Sequence, residues 1–363
     1  MFGATVSETG TSAWAVPNGH AASKDVKELL ARACTPPRRV MTGQHRPVVQ
    51  AVGLGGVRQL PLFESEGGHG AGADESEFGG EAYVSDQWIR SRMHAALRER
   101  RFELKFQPIV NLDTSVAVAV EVLARWRHPA GGFINPARFI PIAEETDAIS
   151  KLGEFVLHEA CQRVGRHWQD TGILLGLHVN VSVVQLRSAN FTAMVQRALA
   201  DARLPAALLT LELTESVFAN PGCPQKFRVL AGLKALGVRL AVDDFGTGYS
   251  CLAYLSQLPL DCIKVDRSFV SAAGAPCRSA WLVSSFVITL GLRLGLEVVA
   301  EGVESTAQAN MLRKLGCTLA QGFLFGRAGQ LSTLRGKPIN ATDRPTASNC
   351  AARSAPSFRL GPA

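Results

Sequence analysis

Residues 240–250 read Leu240-Ala241-Val242-Asp243-Asp244-Phe245-Gly246-Thr247-Gly248-Tyr249-Ser250. The opening apolar run has no polar alternation, the pattern of a parallel strand buried on both faces. Two adjacent carboxylates end it, a Gly-x-Gly turn follows, and Ser250 is placed to cap a helix. The acids therefore stand at the carboxyl end of a strand, where barrel and doubly wound folds put their chemistry. Side by side they repel, and desolvation makes both costly. A hard divalent cation would remove that cost. Taken alone, the pair reads equally well as a solvated turn, so the remaining strands must decide.

Working outward, strand-like segments fall at 104–111, 116–126, 177–181, 208–213, 239–243, 261–266, 297–301 and 318–322. Helical spacing separates the later ones, at 148–170, 191–202, 224–236, 278–293 and 306–315, with a short helix expected after Ser250. Repeated strand–helix units mean a parallel sheet with covering helices. Eight strands over roughly 250 residues predict a closed (β/α)8 TIM-like barrel. The Asn111-Leu112-Asp113 turn joins the first two strands as a hairpin, so one strand runs antiparallel. A helix over 86–101, capped by Ser85 or Asp86, leads into the barrel.

The expected organisation is a weakly ordered N-terminal arm and linker over 1–82, a barrel over 83–336 and a flexible tail over 337–363. The arm is rich in Gly, Ser, Thr and Pro, with an acidic, glycine-studded stretch at 67–80 and one short helical pattern at 24–33. From Gly329 onward the composition is again that of a loop.

Bulk properties exclude several classes. A chain of 363 residues, 47% hydrophobic, can bury a sizeable core. Its net charge of +7 favours an anionic ligand, but no Lys/Arg block with interleaved aromatics marks a groove for a nucleic-acid polymer. The eight cysteines are scattered with no C-x-x-C pair, so neither a zinc site nor a disulfide framework is expected, and a reducing cytoplasm fits best. No signal peptide is read, and the apolar run 281–292 is too short to span a membrane.

At the predicted strand ends stand Glu121, Asn180, Glu212, Asp243, Asp244, Lys264, Glu301 and Gln321. A barrel aims them at one mouth. Each buried ion costs several kcal/mol when unpaired. Five carboxylates with one ammonium therefore call for divalent metal, and this many oxygen donors suffice for two ions. A pair of ions roughly 3.5–4 Å apart is a standard device for in-line hydrolysis of a phosphodiester.

These residues carry a resemblance. The stretches Glu121-Val122-Leu123-Ala124-Arg125-Trp126, Asn180-Val181-Ser182, Glu212-Leu213-Thr214-Glu215, 243–250, Lys264-Val265-Asp266, Glu301-Gly302-Val303-Glu304 and Gln321-Gly322-Phe323 are similar, in order, to EAL-domain phosphodiesterases that hydrolyse cyclic di-GMP. The resemblance covers about 102–327. It implies two Mg²⁺ or Mn²⁺ ions, one held by Glu121, Asn180, Glu212 and Asp243, the other by Asp243, Asp244 and Glu301. It implies that Lys264 orients or polarises the attacking water and that Glu301 can double as general base, roles the sequence does not separate. Arg125, Gln107 and Gln321 would contact substrate, and Glu215 and Glu304 would brace the 245–250 loop, which in this family links metal binding to dimerisation.

The departures are small. Val122 and Val265 neighbour working residues, Phe323 replaces the usual Tyr, and Ala328 stands where Pro often follows Arg. No metal or base position is missing, so an active cytoplasmic homodimer producing pGpG is expected, with a regulatory protein partner for the arm. The competing reading is a catalytically silent cyclic di-GMP receptor.

Overall fold

A computed structural model describes residues 84–215, 217, 224–246, 258–271 and 278–334. The expected arm with its 24–33 helix, the tail, both domain boundaries and the helix after Ser250 lie outside these residues.

Helix α1 (Asp86–Arg98) leads into the barrel. Ser85 is its cap, the Oγ accepting from the Trp88 N–H at 3.2 Å, and the helix buries Ile89, Met93 and Ala96. Strands β1 (Phe102–Asn111), β2 (Val116–Arg127) and β3 (Phe133–Ile134) follow, then helices α2 (Pro136–Glu144) and α3 (Ala148–Thr171). The alternation continues through β4 (Gly176–Val181), α4 (Phe191–Ala202), β5 (Leu209–Thr214), α5 (Pro224–Ala235) and β6 (Arg239–Phe245). It ends with β7 (Cys262–Val265), α6 (Arg267–Ser271), α7 (Arg278–Arg293), β8 (Glu297–Ala300), α8 (Thr306–Lys314) and β9 (Leu319–Gln321).

The nine strands pair in the order β1-β9-β8-β7-β6-β5-β4-β2-β3, and β1 also pairs β2. Eight strands thus close on themselves as expected, while β3 hangs from the end of β2. Strand β1 is antiparallel to both neighbours, and the remaining pairs around the wall are parallel. No helix among the described residues is long and apolar enough to cross a membrane.

Strand alternation divides the wall into two faces. Outward side chains join the large core beneath the helices. Ile109, Ala119, Ala241, Cys262, Val299 and Leu319 form a separate small apolar cluster inside the barrel. Two residues further toward the mouth, on the same face of each of those strands, stand Gln107, Glu121, Asp243, Lys264, Glu301 and Gln321. Strands β4 and β5 repeat the relation with His178 below Asn180 and Thr210 below Glu212. Period-two geometry therefore gathers the strand-end residues over an apolar layer. Beneath that layer Arg239 and Glu297 pair at 3.1 Å.

An aromatic cluster fastens the entrance of the wall. Trp126, 1% exposed, lies 5.8 Å from the Trp88 ring of α1 and 5.2 Å from that of Phe102. Phe139 of α2 meets it edge-on at 5.8 Å.

The loop-like composition from Gly329 onward does not release the chain from the wall at once. Phe106 donates its N–H to the Gly329 carbonyl at 2.9 Å and accepts the Gly329 N–H at 3.0 Å. Leu331 is buried against the core, so the chain through Leu334 belongs with the barrel.

Candidate active site

Lys264 occupies the centre of the mouth and is 1% exposed. Its Nζ lies 2.7 Å from Glu301 Oε1, 2.9 Å from Glu212 Oε2, 3.2 Å from Glu121 Oε2 and 3.2 Å from Asp243 Oδ1. Four of the five expected carboxylates therefore converge on one ammonium. Burial alone would depress the Lys264 pKa, but Glu121, Glu212, Glu301 and Asp243 hold it well above its ordinary value.

The fifth, Asp244, enters through a break in the pleat. Regular alternation would send Asp243 and Asp244 to opposite faces. The β6–β7 register shifts between Val242 and Phe245, and Asp244 has φ 52°, the left-handed region that Asp tolerates better than most side chains. As a result, ligand oxygens of Asp243, Asp244 and Glu301 all lie within 4.8 Å of one another. Strand β6 thus continues through both acids to Phe245, where the sequence placed the start of the loop.

A line of amides closes the other side. Asn180 donates from Nδ2 to Glu121 Oε1 at 2.8 Å, leaving its carbonyl oxygen for the mouth. Gln321 Nε2 donates to Glu121 Oε2 at 2.7 Å and to Gln107 Oε1 at 3.0 Å. The Gln321 Oε1 is buried with no hydrogen-bond partner, an acceptor that a bound group or water would satisfy. Glycines set the exits of β8 and β9. Gly302 has φ 65°, and a Cβ there would fall 2.3 Å from Arg267 Cβ; one at Gly322 would fall 2.2 Å from the Val303 carbonyl oxygen.

The carboxylates do not share one electrostatic fate. Burial would raise Glu121, but attraction to Lys264 and hydrogen bonds from Gln321, Asn180 and Lys264 hold it below the usual range. Glu212 and Glu301 are pushed well up by burial, against the pull of Lys264 and with added repulsion from neighbouring acids. Asp244 is raised by burial and then by Asp243. One ammonium does not neutralise this cluster. The donors are all oxygens, the set that hard divalent cations prefer, so the residues fit the expected metal.

The other expected residues are placed as follows. Arg125 is buried two turns of the pleat beyond Glu121 on β2, with Nη1 donating to the Ala124 carbonyl at 3.2 Å. Glu215 is buried directly after β5; residues 247–250 of the loop it was expected to brace lie outside the described residues. Glu304 is exposed before α8, its backbone N–H donating to Gln308 Oε1 at 2.8 Å.

One residue escaped the sequence reading. His178, 2% exposed, places Nδ1 2.8 Å from Glu212 Oε1. Burial, and then the Lys264 charge, push its pKa down to about 3, so the imidazole is neutral at working pH. Its signal was position: it precedes Asn180 by two residues and so shares its face.

Fold and site together define a closed α/β barrel with an oxygen-donor cluster at its carboxyl-end mouth. The model of the EAL domain family matches residues 90–328, and the chain belongs to that family. The bifunctional diguanylate cyclase/cyclic di-GMP phosphodiesterase MucR of Pseudomonas aeruginosa is 41% identical over 236 residues, 65% of this chain and 34% of that protein. The cyclic di-GMP phosphodiesterase NbdA of the same organism is 40% identical over 246 residues, 68% of this chain and 31% of that protein. The chain thus spans about a third of the length of these curated relatives. Among solved structures, the PaMucR phosphodiesterase in its c-di-GMP complex superposes with a TM-score of 0.63 at 38% identity, covering 67% of this chain and 98% of that one. The EAL domain of Mycobacterium smegmatis DcpA gives 0.53 at 36% identity, covering 62% and 92%.

Proposed function

We propose that this chain is a metal-dependent phosphodiesterase that hydrolyses cyclic di-GMP to linear pGpG. The observation carrying this reading is the convergence of four carboxylates on a single buried ammonium at the barrel mouth, with Asp244 joined to two of them, Asp243 and Glu301. Two divalent cations would balance the remaining negative charge. Glu121, Asn180, Glu212 and Asp243 would hold one; Asp243, Asp244 and Glu301 would hold the other. Magnesium or manganese would supply Lewis acidity at phosphorus and acidify a water.

This chain's own groups do the rest. Arg125 offers a bidentate fork to a phosphate, and Gln107 and Gln321 present amides to the substrate. Lys264 orients the attacking water and stabilises negative charge as it develops. Glu301, held above the usual carboxylate range, is suited to accept the proton of that water. The water oxygen bonds to phosphorus as the P–O3′ bond breaks, and the leaving 3′ oxygen takes a proton. The product is a 5′-phosphate with a free 3′-hydroxyl, which is pGpG. A cytoplasmic location, a homodimer through the barrel, a bracing role for Glu215 and Glu304, and a regulatory partner for residues 1–82 belong to the same reading. So do the domain limits at 82/83 and 336/337.

Purified full-length protein, incubated with Mg²⁺ or Mn²⁺ and cyclic di-GMP, should yield pGpG, and EDTA should stop the reaction. Binding of the nucleotide with no pGpG formed, in the presence of either metal, would instead establish a silent receptor.

A further inference from the structure

His178 lies in the layer below the mouth, where six of the other seven wall strands carry the apolar Ile109, Ala119, Ala241, Cys262, Val299 and Leu319, and β5 carries the small Thr210. Such a position needs no polar group for packing, and a buried polar group without a partner is costly. The partner is specific. His178 Nδ1 sits 2.8 Å from Glu212 Oε1, while Lys264 Nζ takes the other oxygen, Oε2, at 2.9 Å. Both carboxylate oxygens are thus assigned: one faces down to the imidazole and one faces up to the cluster. An ionised carboxylate only accepts hydrogen bonds, so opposite an ionised Glu212 the imidazole must carry its proton on Nδ1.

We infer that His178 is a positioning residue, which donates Nδ1–H to Glu212 Oε1 and so restricts Glu212 to offering a single oxygen, Oε2, to a divalent cation at the mouth. The inference rests on the metal-dependent reading only in taking Glu212 as a ligand. The physical reason is that an unrestrained Glu side chain can rotate about χ3 and offer either oxygen, or both. A donor fixed in the barrel wall removes those alternatives before the ion arrives. Partners of this kind typically change metal affinity about 10- to 100-fold when removed.

The test is Mn²⁺ titration by calorimetry into EDTA-stripped, dialysed full-length protein. His178→Leu keeps comparable bulk without a donor, and His178→Asn keeps an N–H near the Nδ1 position. The Leu variant should bind Mn²⁺ about 10- to 100-fold more weakly than wild type, and the Asn variant should recover most of that loss. Equal affinity in wild type and His178→Leu overturns the inference, as does an Asn variant that falls as far as Leu. Nitrogen-15 spectra of wild-type imidazoles, followed in metal-free protein to alkaline pH, where Glu212 is ionised, decide the hydrogen bond without any substitution. A His178 resonance protonated on Nδ1 supports the inference, and one protonated on Nε2 overturns it even if His178→Leu does not fold. Wild-type protein that takes up no Mn²⁺ defeats the metal-dependent reading instead, and the tautomer then still reports whether His178 holds Glu212.

Discussion

Lys264 Nζ and Glu301 Oε1 stand 2.7 Å apart, and three further carboxylates crowd the same ammonium. The lysine is the cation that makes the metal-free cluster tolerable. Lys264→Met should therefore lower the stability of EDTA-treated protein by roughly 3–5 kcal/mol, the usual result of stranding a buried ionic partner. Mn²⁺ should raise its melting temperature more than it raises that of wild type. Thermal unfolding of both proteins with EDTA and with Mn²⁺ measures this; equal metal-induced shifts would count against a shared role for lysine and metal.

Asp244 contributes both a carboxylate and an unusual backbone. At φ 52° a β-branched side chain is strained by about 1–2 kcal/mol, whereas glycine is at ease. Asp244→Gly should keep metal-free stability close to wild type, because relief of strain and of repulsion by Asp243 offsets the added chain entropy. Asp244→Val should be the less stable of the two. Both should lose hydrolysis. Urea unfolding in EDTA ranks them, and a Val variant as stable as Gly would show that the left-handed turn is not retained.

The pH dependence follows from Glu212, Glu301 and Asp244, all pushed above their ordinary values in the folded chain. A carboxylate of this kind takes up a proton on folding in the window between its unfolded and folded pKa. The metal-free protein should then lose stability as pH rises through that window, from about pH 4.3 upward. Metal needs these groups ionised, so its binding should release protons. Calorimetric titration with Mn²⁺ at a series of pH values, in buffers of different ionisation enthalpy, should show that release, and the number of protons released should fall once the pH passes the raised pKa values. Identical heats across buffers at every pH would contradict it.

The aromatic cluster predicts where the barrel can be cut. Trp126 packs against Trp88, Phe102 and Phe139, and α1 buries Ile89 and Met93 completely or nearly so. Trp126→Ala should cost about 3–5 kcal/mol. A chain beginning at Tyr83 should fold and hydrolyse cyclic di-GMP, whereas one beginning at Arg100 should melt at a clearly lower temperature. Size-exclusion, melting and product assays on the two chains decide this.

The mouth was legible because each apolar strand ends in a residue with chemistry, and the period of two then fixes which face each one shares. Asp243 and Asp244 expose the limit of that rule. Alternation separates neighbours, and nothing in Val242-Asp243-Asp244-Phe245 announces the left-handed residue that reunites them. Helix α2 was missed for local reasons, since Pro136 and Pro141 both speak against a helix over so short a span. The first is harmless at the amino end, and buried Phe139, Ile142 and Ala143 secure the remainder. From Gly329 only a loop composition was legible, because its pairing with Phe106 uses backbone atoms alone, which leave no trace in side-chain pattern.

The reversed first strand changes which end of the barrel its connections reach. In an all-parallel barrel the leading segment meets the floor, a full strand length away from the chemistry. Here Phe102 lies opposite Trp126, at the carboxyl end of β2, and Gly329 returns beside Phe106 on the same strand. The wall is joined and left at one rim, beside the mouth. A neighbour tethered through α1, or after Leu334, would be delivered next to the substrate opening, where a push on a loop acts on chemistry without crossing the body of the barrel. One inverted hairpin thereby brings both the entry to the wall and the exit from it to the rim that carries the carboxylates.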